Sequence, residues 1–207
     1  METQRTIRSK RLHGIDEYYF SQKLREIDAL NKQGLAVINL GIGSPDLPPH
    51  PDVIRVLQEE AAKPANHAYQ SYKGSPVLRN AMRDWYLRWY NVELDADKEI
   101  LPLIGSKEGI LHISMTYLNK GDQVLVPDPG YPTYSSAVKL AGGTCVPYRL
   151  EKRNNYFPDF EKLAKKINTK TKIIFVNYPQ MPTGQLPTRD LFGQLVAFAK
   201  EKGLLIV

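Results

Sequence analysis

From about residue 99 onward the chain alternates short apolar runs with stretches of helical periodicity, and this alternation narrows its fold more than any other feature. The runs EILPLIG, DQVLVP, GTCVPYRL, KIIFVNY and LLIV read as strands. GSKEGILHISMTYL, the stretch after Tyr131, FPDFEKLAKKI and TRDLFGQLVAFAKEKG read as helices. The strand runs are apolar almost throughout rather than at every second residue, which marks strands covered on both faces. Strands separated by helices pair in parallel, because the crossover helix returns the chain to the same end of the sheet. The predicted architecture is α/β, a mainly parallel sheet with helices on both faces. Ligands of such sheets sit beyond the carboxyl ends of the strands, so the loops that follow the strands are where chemistry is expected.

The N-terminal part is patterned differently. Residues 15–33 carry Tyr19, Phe20, Leu24, Ile27 and Leu30 at helical spacing, and Gly34 reads as the stop. AVINL reads as a short strand and GIGSPDLPPHP as a loop. Pro51 opens a second helix with Val53, Ile54 and Leu57 on one face. Ser75 and Pro76 supply an N-cap and a first-turn proline for the helix VLRNAMRDWYLRWY. The final run, LLIV, is cut at Val207, and a buried strand needs neighbours, so the expectation is a chain truncated within a larger domain.

Composition excludes several classes. Hydrophobic residues make up 42% and charged residues 24%, ordinary values for a globular protein. No apolar run approaches the roughly 18 residues of a membrane-spanning helix, and the N-terminus lacks the apolar stretch of a signal peptide. Cys145 is the only cysteine, so no intrachain disulfide forms, and the expected compartment is the cytoplasm. The net charge of +6 is spread along the chain. Its densest cluster, EKLAKKINTKTK from Glu161 to Lys172, reads as the solvated face of a helix, so no nucleic-acid partner is expected, and no membrane. The same positive charge suits an anionic cofactor or dicarboxylate substrates. His13, His50, His67 and His112 lack metal-ligand spacing, so no metal site is expected.

Four strand ends carry candidate chemistry. Gly105, Ser106 and Lys107 stand where a strand turns into a helix, so N–H groups and the positive end of the helix dipole face a potential phosphate or carboxylate. The same residues also read as a plain capped turn. Tyr131, between Gly130 and Pro132, is a rigid aromatic placed to lie against a planar ring, or an aromatic that merely closes the start of the helix. FVNYPQMPTGQ ends a strand at Asn177 and turns through Pro179, Pro182 and Gly184, rigid backbone that holds polar side chains toward a ligand. Gly41 and Gly43, in NLGIGSPDLPPHP, permit close approach of backbone to a ligand, or form a flexible connection.

In their order and spacing these segments resemble the class I/II aminotransferases that depend on pyridoxal 5'-phosphate (PLP), the fold type I enzymes of the aspartate aminotransferase superfamily. GSPD is similar to the family's Gly-x-Pro-Asp loop and YQSYKGSPVLRNAM to its Tyr-x4-Gly-x-x-x-Leu-Arg segment. GSKEGI, PDPGYPTY and the Pro-Thr-Gly of QMPTG follow in family order. The resemblance runs from about Ile15 to Val207 and is nearest to the branch of LL-diaminopimelate and broad-specificity aminotransferases. It implies an N-terminal arm and part of a small domain over residues 1–48, and the N-terminal part of the large PLP-binding domain over 49–207.

The resemblance also implies roles. Gly105, Ser106 and Lys107 match the loop that holds the PLP phosphate, and Tyr131 the aromatic that stacks on the pyridine ring. Tyr69, five residues before Gly74, matches a tyrosine that reaches the neighbouring subunit's cofactor phosphate, so a homodimer is implied. Gly43 matches a glycine whose backbone lies by the substrate carboxylate. One position departs from the pattern. Where the family reads Asn-Pro-Thr-Gly, with the asparagine donating to the ring hydroxyl oxygen, this chain has Met181, whose thioether donates nothing. Gln180 or Asn177 then fills in, or the oxygen is held from elsewhere.

The family's Schiff-base lysine is expected beyond Val207, so no catalytic residue is assigned within the chain and this stretch alone is expected to be inactive. The implied reaction moves an amino group between an amino acid and a 2-oxo acid. The rival readings are a PLP-dependent C–S lyase acting by β-elimination, and a non-catalytic ligand-binding module. A nucleotide-binding domain is disfavoured by the absence of a Gly-x-Gly-x-x-Gly or Walker loop.

Overall fold

The computed structural model describes residues 9–12, 15, 17–43 and 45–207. His13 and Ser44, the latter from the GSPD motif, lie outside the described residues. The chain divides into two units, one comprising Leu103–Val207 with the described residues before position 16, the other the described residues of Asp16–Pro102.

The second unit is helical. It holds α1 (Tyr19–Lys32), α2 (Pro51–Ala61) and α3 (Pro76–Tyr90). Local signals set these boundaries. Pro51 and Pro76 take first-turn positions, where a missing N–H costs nothing, and the His50 ring nitrogen accepts from the Asp52 N–H at 3.2 Å. Asn91 ends α3 in the left-handed conformation at φ 52°. The AVINL segment is not a strand. Ala36 has φ 48°, which breaks the extended run. The Asn31 carboxamide takes both backbone groups of Val37, at 2.5 and 3.2 Å, in place of a ladder partner.

The first unit is an α/β layer structure in the order α4 (Ser106–Tyr117), β1 (Gln123–Asp128), α5 (Pro132–Leu140), β2 (Thr144–Arg149), α6 (Phe160–Ala164), β3 (Thr171–Ile174), α7 (Arg189–Lys202) and β4 (Leu205–Ile206). All pairings are parallel and the spatial order is β2-β1-β3-β4. Successive residues of each strand supply opposite faces. Val124, Val126, Ile173 and Phe175 pack with Ile110 of α4 and Tyr134, Ala137 and Val138 of α5. Leu125 and Ile174 pack with Leu163 of α6 and Leu191, Leu195, Phe198 and Ala199 of α7. The predicted parallel sheet with a helix layer on each face is what the chain forms.

EILPLIG is a second departure, being irregular rather than a strand. Ile104 is 97% exposed, and its N–H goes to the Glu108 carboxylate at 2.6 Å instead of to a neighbouring strand. The helix read from FPDFEKLAKKI shortens to five residues, started by Asp159, whose side chain accepts from the Lys162 N–H at 3.1 Å. No helix among the described residues is long and apolar enough to cross a membrane.

Candidate functional site

The strand order fixes where a ligand crevice opens. From β1 the chain passes through α5 to β2 on one side; from β2 it returns past β1 to β3 on the other. The loops after β1 and β3 therefore depart on opposite sides of the sheet, and the carboxyl ends of these two strands form the switch point at which open parallel sheets bind ligands.

Two features meet at the β1 side. α4 begins at Gly105, whose φ of +97° suits glycine, and a Cβ built there would meet no atom within 4 Å. The space over this turn is open, and the first N–H groups of a twelve-residue helix lie beside it with the positive dipole end. Ser106 and Lys107 are exposed on the same turn. Tyr131 caps α5, with Pro132 at its first helical position. The Lys107 ammonium lies 5.9 Å from the Tyr131 ring centroid. The structure thus brings together the candidate anion loop and the candidate stacking ring, residues 24 apart in sequence (131 − 107).

Tyr131 is braced from behind by residues that the sequence reading did not single out. Tyr134 meets it edge-on at 5.7 Å, and Tyr134 stacks on Phe175 at 4.6 Å with 13° between planes. Burial, and then the neighbouring Tyr131, push the Tyr134 phenol above its ordinary range, so it stays neutral. An i, i+3 aromatic pair at a helix start was the available signal; the partnership with Phe175 was not in the local sequence.

On the β3 side the candidates separate. Gln180 is 2% exposed and its carboxamide is fully engaged. Its nitrogen donates to the carbonyls of Pro129 at 2.8 Å and Met181 at 2.7 Å; its oxygen accepts from the Thr183 N–H at 3.1 Å and hydroxyl at 2.7 Å. That uses the amide's capacity within the protein. Met181 is 45% exposed. Asn177 is exposed just past β3, and its carboxamide makes no hydrogen bond to another described residue. Gly43 and Tyr69 belong to the helical unit, both exposed. Tyr69 is 85% exposed and edge-on to Tyr72 at 6.1 Å.

Fold and site together define an α/β domain of the PLP-dependent transferase type, fold type I. The chain belongs to the class I and II aminotransferases, which match it over residues 36–207. It is 41% identical to the LL-diaminopimelate aminotransferase of Desulforudis audaxviator over 200 residues, covering 97% of this chain and 51% of that protein. Among solved structures, apo-BacF from Bacillus subtilis superposes with a TM-score of 0.91 at 34% identity, over 97% of this chain and 51% of that one. An aminotransferase from Staphylococcus aureus does so with a TM-score of 0.84 at 35% identity, over 96% and 50%. The chain spans about half the length of the curated relatives it matches.

PLP is the cofactor of this family, and the residues present suit it. A phosphate requires N–H donors and positive charge, which the open turn at Gly105, Ser106 and Lys107 provides. A pyridine ring requires a flat face, which Tyr131 offers in a fixed orientation. A ring oxygen requires a donor, and Asn177 holds a carboxamide that makes no hydrogen bond to another described residue.

Proposed function

We propose that the intact protein is a PLP-dependent aminotransferase that moves an amino group between an amino acid and a 2-oxo acid. The observation that carries this reading is the meeting of the α4 N-terminus, Lys107 and Tyr131 at the switch point of a parallel sheet. In this reading the α4 N–H groups, the Ser106 hydroxyl and the Lys107 ammonium bind phosphate. Tyr131 sets the plane of the ring, and Asn177 donates to the ring oxygen in place of the family asparagine, because Gln180 is engaged and Met181 has no donor. PLP bound there supplies an electron sink for loss of the Cα proton.

The lysine that carries the cofactor is assigned to none of the residues in this chain, and residues 49–207 are the N-terminal part of the large cofactor domain, with residues 1–48 as arm and part of a small domain. Gly43 lies in this reading by the substrate carboxylate. The protein is a homodimer in which Tyr69 serves the partner's site, a role consistent with its 85% exposure. It works in the cytoplasm, in keeping with a single cysteine.

The test uses the intact protein, titrated with PLP by absorbance and then assayed for amino transfer to a 2-oxo acid. LL-diaminopimelate is the first amino donor to try, since relatives at 41% identity carry that name. Tyr131→Ala weakens PLP binding by about 1 kcal/mol, roughly fivefold, through lost stacking. Unchanged PLP affinity in this variant sinks the site assignment. Release of pyruvate and ammonia without a 2-oxo acid acceptor sinks the transfer reaction in favour of β-elimination.

A further inference from the structure

Gln180 is the most completely engaged polar side chain near the switch point, and its bonds do more than satisfy one loop. Three of its four bonds close the turn after β3 upon itself, to the Met181 carbonyl and to the N–H and hydroxyl of Thr183. The fourth leaves that turn and reaches the Pro129 carbonyl, 51 residues away, at 2.8 Å. Among the described residues it is the only side-chain hydrogen bond joining the loop after β1 to the loop after β3. Pro129 stands two residues before Tyr131. Only Gly130 separates them, and it is packed against the preceding turn, since a Cβ there would meet the Pro127 carbonyl oxygen at 2.4 Å. Fixing the Pro129 carbonyl therefore fixes the start of α5 and, with it, the origin of the Tyr131 side chain.

We propose that Gln180 is a positioning residue for the cofactor ring: its carboxamide clasps the two switch-point loops and so sets the distance between the Tyr131 face and the Asn177–Met181 edge of the crevice. The inference rests on the PLP reading of this site. Gln180 itself touches neither ring nor substrate; it acts through Tyr131. It also accounts for why Gln180 cannot supply the donor missing at Met181. Turning its amide toward a ligand would leave the Pro129 carbonyl and both Thr183 donors without their partner.

Three variants of the intact protein separate the parts of the clasp. Gln180→Met keeps the length of the side chain and removes every polar bond. Gln180→Glu keeps the acceptor for both Thr183 donors but turns a carboxylate toward two carbonyls, so it breaks the Pro129 and Met181 bonds and keeps the Thr183 half of the turn. Thr183→Val removes one brace from the carboxamide and leaves the Pro129 bond. Each is read by PLP dissociation constant and by induced circular dichroism of the bound cofactor, at a temperature where the apo variant keeps its far-ultraviolet spectrum.

Both Gln180 variants are expected to weaken PLP binding about tenfold and to lose more than half of the induced signal, and Thr183→Val to weaken it about threefold. A purely structural role lowers the unfolding temperature but leaves affinity and induced signal of the folded protein in place. Folded Gln180 variants within twofold of the parent in both readouts overturn the inference. If neither Gln180 variant folds, Thr183→Val decides, and an unchanged dissociation constant there overturns it. If the parent protein binds no PLP, the cofactor reading falls and this inference with it.

Discussion

Every buried apolar side chain among the described residues lies between Ile110 and Leu204, in the unit built on the sheet; in the helical unit the single buried residue is Arg79. The two units are thus held by different means. In the first, two apolar faces of one sheet are each covered by helices, and Val124, Leu125, Ile173, Ile174 and Phe175 are wholly inaccessible. In the second, α2 and α3 start at prolines, and no apolar side chain of its helices is buried. Val53, Ile54 and Leu57 form the predicted face of α2 and remain 57%, 41% and 68% exposed. The fixed point of that unit is polar: Arg79 donates to the carbonyls of Gly74 and Ala96 and to the Asp97 carboxylate at 2.6 Å. An amphipathic pattern forms a helix with an apolar face; burial of that face needs a partner that the pattern does not name.

The contrast can be broken most directly at Phe175. Phe175→Ala removes a fully buried ring stacked on Tyr134 and should cost about 3–5 kcal/mol in chemical denaturation. A loss below about 1 kcal/mol would mean that the sheet unit is not held by its core.

Next in size is Arg79→Ala, expected to cost about 1.5–3 kcal/mol, because carbonyls and a carboxylate lose a buried charged donor. Hydrogen exchange should rise over residues 73–97 while the amides of β1 and β3 stay protected. Arg79→Lys should not restore protection, since an ammonium cannot span the donors of the guanidinium fork. Exchange that rises equally in both units would erase the distinction between them.

Tyr178 sharpens the comparison through pH. Its hydroxyl donates to the Tyr156 carbonyl at 2.7 Å, and burial raises its pKa from 10.0 to about 12. A phenol raised on folding contributes stability that is whole below the unfolded value and is lost as pH climbs through the folded one. The sheet unit should therefore weaken between pH 10 and about pH 12. Tyr178→Phe should cost about 1 kcal/mol at neutral pH and reduce the alkaline loss, measured as denaturation midpoints at the two ends of that window. An alkaline loss of the same size in Tyr178→Phe would assign it to other groups.

The smallest effect is expected at Leu57→Ala, within about 0.5 kcal/mol, because a side chain that is 68% exposed leaves no cavity. A cost above about 2 kcal/mol in the intact protein would show that α2 is covered by something outside the described residues.

The helices were the most legible part of the sequence. Pro51, Pro76 and the ends of the run TRDLFGQLVAFAKEKG, Thr188 and Gly203, mark ends that the chain does use, and a helix satisfies its backbone within four residues, so the signals and the bonds share one window. The β1 and β3 runs were legible because apolar residues on both faces leave few alternatives to a buried strand, whereas β2, at the sheet edge, buries Tyr148 alone. AVINL and EILPLIG had the same composition and failed to pair, since a strand exists only with a neighbour and nothing local states whether one is present. At the site, the Gly105–Lys107 turn and Tyr131 were legible as a helix start and a flanked aromatic. Gln180 read from sequence as a candidate ligand donor, and its engagement with Pro129 rests on a contact across 51 residues.

What the sequence determined by itself was where most helices start and stop and, through the order of its motifs, the class I and II family of the chain. Turn glycines, first-turn prolines and apolar periodicity act over a few residues, so their consequences are already present in the linear text. What the tertiary structure alone decided was which groups remained available for chemistry. Hydrogen bonds to Pro129, Met181 and Thr183 removed the Gln180 carboxamide from that set, while the Asn177 carboxamide bonds to no other described residue. Packing of α4 against α5 brought Lys107 to within 5.9 Å of the Tyr131 ring, and the pairing of β3 beside β1 put Phe175 beneath its brace. A carboxamide has a fixed number of donors and acceptors, and only the folded chain assigns their partners.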